Sequence, residues 1–141
     1  MWLVNSTKPE SIRFKDLSLP ASANYFLMTP PGYASIETKP ESPIFDMAVA
    51  DLAEAWHVMI NKRKRIRLRS CSKSKHRYHY LERSLILALP HYVVAKLIPI
   101  DEEHSSIALM SYSIYGFFDF GYNRQLVYQL LIDLNKEFQS E

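Results

Sequence analysis

The sequence predicts an α+β domain of two layers: a helix, a four-stranded antiparallel meander and a second helix, with an extended proline-rich arm ahead of them. Two segments repeat apolar side chains at helical spacing, Val49, Leu52, Ala53, Trp56, Met59 and Ile60 in the first and Leu126, Val127, Leu130, Leu131 and Leu134 in the second. Between them the apolar period falls to two, as in a half-buried strand. The links between the apolar runs are short, which favours antiparallel neighbours over crossovers.

Residues 1–44 hold six of the eight prolines and show no helical period. Tyr25, Phe26, Leu27 and Met28 nevertheless demand burial, so this arm is expected to lie across the domain formed by residues 45–141. Pro43 and Asp46 precede the first helix, expected at about 47–62, with Asp46 at or just ahead of the N-cap. RIRLRS is the first strand of the meander, with Ile66 and Leu68 alternating with Arg65, Arg67 and Arg69. RYHYLERSLILAL reads as a long second strand with a bulge near residues 82–84, and Pro90 ends it. HYVVAKLIPI and SIALMSYSIYG are the third and fourth strands, and FFDFGYN is the loop into the last helix, expected at about 123–138. Both helices are assigned to one face of the sheet, leaving the other free or partly covered by the arm.

With 141 residues and 48% apolar composition, the chain has the size and makeup of one globular domain. Its formal net charge is only +2, but residues 61–77, NKRKRIRLRSCSKSKHR, hold nine of the seventeen Lys and Arg and no carboxylate. The remaining eight stand against fifteen Asp and Glu, a net of −7 outside that stretch. A basic patch on an acidic body is an oriented field that selects partners. The stretch therefore marks Lys62, Arg63, Lys64, Arg65, Arg67, Arg69, Lys73, Lys75 and Arg77 as an anion-binding surface. The expected partner is an anionic protein, then a lipid headgroup layer or RNA. The competing account makes these charges a helix terminus and a solvated edge strand that resists aggregation.

Cys71 is the single cysteine, so neither a disulfide framework nor a Cys-based zinc site is expected. Three glycines exclude a nucleotide-hydrolysing P-loop. The opening MWLVNSTKPE turns polar after three apolar residues, and the apolar run 85–89 is far too short to span a bilayer. A cytoplasmic location follows as the expectation, with peripheral membrane association open.

Three segments, ESPIFDMAVADLAEAW, LERSLILALP and VVAKLIPIDEEHSSIALMSYSIYGFFDFGYNRQLVYQLL, the last holding the closing block YSIYGFFDFGYNR, resemble the bacterial family called domain of unknown function 1499. That family pairs an SPVF-like segment before a helix with an RS pair in a strand and a YSxSxxGxxDxGxNR block. The similarity covers roughly residues 40–135 and implies an α+β fold, with no substrate or reaction attached. The basic run is richer than the corresponding family segment.

Within the closing block, Asn123 is expected to cap the last helix and Asp119 to pair with Arg83 or Arg124. An alternative makes Arg83, Asp119, Asn123 and Arg124 a polar corner, for an anion held at the helix N-terminus by a small-ligand carrier or an enzyme. Cys71 lies among cations that favour thiolate, with His76 and His79 nearby, yet no orienting acid follows. His76 and His79 fall on opposite sides of a strand, against joint metal ligation. Tyr78, Tyr80, Tyr92, Tyr112 and Tyr115 could stack bases on an open sheet, although strand aromatics are mostly packing residues. A non-enzymatic binding module with no metal or cofactor is the reading these observations favour.

Overall fold

The computed structural model describes Phe14 and residues 25–33, 38–85, 87–114 and 121–139. Strand β1 (Tyr25–Met28) precedes helix α1 (Val49–Asn61). Strands β2 (Ile66–Ser72), β3 (Arg77–Arg83), β4 (Pro90–Pro99) and β5 (Ser105–Ser113) follow, and helix α2 (Tyr122–Gln139) closes the described chain. All pairings are antiparallel, in the order β1-β5-β4-β3-β2. The fold is α+β, as the periodicities predict.

The described sheet has five strands rather than four. The fifth comes from the arm, where Tyr25 pairs with Tyr112 and Met28 with Leu109. An edge position suits a segment bounded by prolines, because one side of the strand forms no ladder. The apolar demand of Tyr25 to Met28 is thereby met by the free edge of β5.

The long second strand is also shorter than expected. It ends at Arg83, and Ser84 and Leu89 then close on each other, Ser84 N–H to Leu89 O at 2.9 Å and Leu89 N–H to Ser84 Oγ at 3.0 Å. Pro90 pairs with Arg83 at the start of β4, so the apolar run between them turns the chain instead of extending it. The irregularity expected near residues 82–84 lies instead in β2, between Leu68 and Ser70.

Alternation sorts the sheet into two faces. Tyr78, Tyr80, Val93, Ala95, Leu97, Ile107 and Leu109 meet Leu52, Trp56 and Met59 of α1 and Leu126, Val127, Leu130 and Leu134 of α2. Both helices thus cover one face. Trp56 and Leu130 are fully buried, and the indole N–H of Trp56 donates to Tyr80 Oη at 2.8 Å. On the other face Val94, Ile98, Ala108, Met110 and Tyr112 pack with Leu27 and Phe14, so described parts of the arm cover it in part.

Helix α1 begins after Ala48, which makes no side-chain cap. Asp46 lies upstream and faces His104 Nε2 at 3.4 Å. Gly121, at φ 76°, supplies the left-handed backbone that opens α2.

Candidate functional site

The nine cations of the basic stretch divide into two groups. Lys62 donates to Glu137 Oε1 at 2.6 Å, joining the end of α1 to the end of α2. Arg63 donates to Glu82 Oε1 through Nε at 2.9 Å and Nη2 at 2.7 Å, and through Nη1 to Asp133 Oδ2 at 3.1 Å. Arg77 donates to His79 Nε2 at 2.9 Å and lies over the Phe14 ring at 5.7 Å. The His79 proton therefore sits on Nδ1, which faces Ser70 Oγ at 2.6 Å. These three cations are tied into the fold.

Lys64, Arg65, Arg67, Arg69, Lys73 and Lys75 are exposed. Arg65 donates to Arg83 O at 3.2 Å, and none of the six pairs with a carboxylate among the described residues. They lie on β2 and on the turns at its two ends. Among the described strands β2 is an edge of the sheet, and its Arg67, Leu68 and Arg69 are exposed. Leu68, at 54% exposure, sits among these charges.

Beneath the edge, Arg63 starts a buried polar network. Glu82 is 1% exposed, and it accepts from Tyr122 Oη at 3.2 Å as well as from Arg63. Burial, reinforced by the charge of Glu82, pushes the Tyr122 phenol up to about 12. The Tyr122 ring stacks on His91 at 4.2 Å between centroids. His91 Nδ1 lies 3.2 Å from Asn123 Oδ1 and 3.1 Å from Ser113 Oγ. Asn123 accepts from Ser111 Oγ at 2.6 Å and donates to Ser113 Oγ at 2.9 Å.

Asn123 is therefore not the N-cap of the last helix. It is the second residue of α2, fully buried, with its amide bonded to the helix-facing side of β5. A helix lying on a sheet brings its inward residues within reach of strand hydroxyls, and that tertiary contact outweighs the local cap. Tyr122 and Asn123 of the closing block and Glu82 beside Arg83 thus converge on one interior lock. Ser113, His91 and Asn123 are in hydrogen-bond reach as a nucleophile site requires, yet Ser113 and His91 are each only 4% exposed. Their polar atoms satisfy one another, which is the arrangement of a packed interior.

The other proposed corner residues go elsewhere. Arg83 turns to the loop that follows it and donates to Ala88 O at 3.2 Å. Arg124 lies over the rings of Phe26 and Tyr128, at 6.0 and 5.4 Å. Phe26 is on β1 and Arg83 on β3, with β5 and β4 between them, so the two guanidiniums are not brought together. Asp119 lies outside the described residues.

Cys71 is exposed on β2 and pairs in register with Tyr78, while His79 is held by Ser70 and Arg77. No group of three His, Cys, Asp or Glu side chains suited to a metal occurs among the described residues. Tyr78, Tyr80 and Tyr112 are buried and Tyr92 half-buried, so they do not form an open stacking platform; Tyr115 is outside the described residues. A cleft of about 610 Å³ opens to solvent between the turn at residues 30–33, the turn at 74–76 and the end of β4.

The turn closed by Ser84 and Leu89 replaces the continuous second strand that the sequence predicts. Leu85 and Leu87 are 76% and 78% exposed, and Leu87 and Ala88 adopt φ of 68° and 50°. The sequence signal was present: an apolar run ended by Pro90 and preceded by Arg83 and Ser84 fits a hairpin loop as well as a strand. No family model, curated protein or solved structure matches the chain.

Proposed function

We propose that this protein is a binding module that docks an anionic partner through the outer edge of its sheet. Lys64, Arg65, Arg67, Arg69, Lys73 and Lys75 are its contact charges. The observation that carries this reading is the division of the basic stretch: three cations are bonded to side chains of the fold, and six are exposed without a described carboxylate. Arginines on an edge strand deter pairing with a second copy by like-charge repulsion. The same charges attract an acidic surface, so the two roles reinforce each other.

The test replaces Arg65, Arg67 and Arg69 together by Gln and titrates both proteins against polyglutamate, anionic vesicles and RNA at two salt concentrations. Wild type should bind at least one of these polyanions, more weakly at the higher salt, and the variant should lose that affinity while keeping its fold. Equal affinity of the two proteins for every polyanion would reduce the stretch to a solvated strand face.

A further inference from the structure

We infer that the anionic partner is a lipid bilayer surface, entered by Leu85 and Leu87 beside the cations Lys64, Arg65, Arg67 and Arg83. This rests on the binding reading above and names the partner of the same site. Single exposed apolar residues are ordinary on protein surfaces. Here two leucines at 76% and 78% exposure share one loop. Leu87 and Ala88 both hold left-handed backbone, at φ of 68° and 50°, which a glycine would adopt with less strain. The loop is nevertheless built: Ser84 and Leu89 close its base, and the Arg83 guanidinium holds Ala88 O at its neck.

The charges stand beside it. Arg83 N–H bonds Arg65 O at 3.0 Å, so the start of β2 abuts the root of the loop. Exposed leucines flanked by cations on the β2 side match the layering of an anionic membrane, where acyl chains lie beneath phosphate and carboxylate headgroups. An acidic protein surface would leave Leu85 and Leu87 without an apolar environment, and RNA would do the same. Six residues cannot span a bilayer, so the contact is shallow insertion. No described helix is long and apolar enough to cross a membrane either. Lys73 and Lys75 lie at the far end of β2, roughly 23 Å away for seven extended residues, beyond the screening length of about 8 Å at physiological salt. They should matter less than Lys64 and Arg67.

The experiment is co-sedimentation of the full chain with vesicles of phosphatidylcholine alone or mixed with phosphatidylserine, with polyglutamate and RNA as parallel arms. Binding should require phosphatidylserine and fall with added salt. Leu85→Ser with Leu87→Ser should weaken it by roughly tenfold per leucine while leaving polyglutamate binding unchanged. Lys64→Gln with Arg67→Gln should weaken it by about fivefold per charge, more than Lys73→Gln with Lys75→Gln. Circular dichroism and the thermal midpoint confirm that each variant is folded. Vesicle binding by the double serine variant equal to wild type, or no wild-type vesicle binding alongside polyglutamate or RNA binding, overturns the membrane inference and leaves the binding reading standing. If the arginine triple variant matches wild type on vesicles, polyglutamate and RNA alike, both fall.

Discussion

Arg63 and Arg67 are four residues apart and meet opposite fates. Arg63 leaves the end of α1 and donates to Glu82 and Asp133, with 16% of its side chain exposed. Arg67 lies on edge strand β2, exposed and without a described carboxylate partner. A buried ion pair is costly to break, because removing one partner strands the other charge in a poorly solvated interior. An exposed cation contributes little to stability and is free to act on something else. The same residue type is therefore structural in one place and available for binding in the other. What separates them is depth beneath the edge of the sheet.

The sharpest way to break this comparison is Arg63→Ala, which leaves the buried Glu82 carboxylate without its cation. It should destabilise the fold by about 3–5 kcal/mol, read as a shift of the denaturation midpoint at unchanged slope. A loss no larger than that of Arg67→Gln would show the network to be as dispensable as the surface. Asn123→Ala comes next, because it removes the amide that joins α2 to Ser111, Ser113 and His91. The expected loss is about 1–3 kcal/mol, the cost of buried groups left unsatisfied. Substituting Ser111 and Asn123 together should cost less than the sum of the single changes, whereas strict additivity would argue against a shared network.

Leu87→Gly moves in the opposite direction. Relief of left-handed strain should stabilise the fold by about 1 kcal/mol, while vesicle binding falls for want of the side chain. A smaller effect is expected from Arg67→Gln, within about 0.5 kcal/mol of wild-type stability. The smallest is a titration. Burial first, then the charges of Lys73 and His76, hold the His57 imidazole below its ordinary value of 6.5. The unfolded chain then takes up this proton more readily, so His57 favours folding at neutral pH and that contribution declines as pH falls through about 6.5. Lys73→Gln, or added salt, should raise the His57 pKa toward the ordinary value, observed by NMR. A pKa indifferent to both would mean that the basic turn projects no field onto α1.

Much of the fold was legible because its core follows simple periods. Trp56 and Leu130 fall on helical repeats and Val93, Ala95 and Leu97 on a strand repeat, and all five are buried. The failures have particular causes. Residues 84–89 are apolar enough for a strand, and only the pairing of Arg83 with Pro90 shows that they turn back. Tyr25 to Met28 announced burial but not a partner, since the free edge of β5 is a product of the folded sheet. Asn123 matched the local rule for a cap, while its bonds to Ser111 and Ser113 depend on how α2 lies on β5. For the candidate site, charge density was visible in residues 61–77, but which cations are paired depends on Glu82, Asp133 and Glu137, all distant in sequence. The exposed leucine tip was hidden by the same hydrophobicity that makes it worth testing.

The pairing of β1 with β5 has a kinetic consequence. Tyr25 meets Tyr112, so this ladder closes a chain loop on the order of 90 residues, while the hairpins from β2 to β5 close locally. Long-range closure is the slow, entropically expensive step of folding. Docking of β1 should therefore follow assembly of the meander. Four residues give it few ladder bonds, so it should also be the strand that opens first in the native state. Amides of Phe26 and Leu27 should exchange with solvent hydrogen well before those of Val93 and Val94, marking the arm's strand as a separate cooperative unit within one sheet.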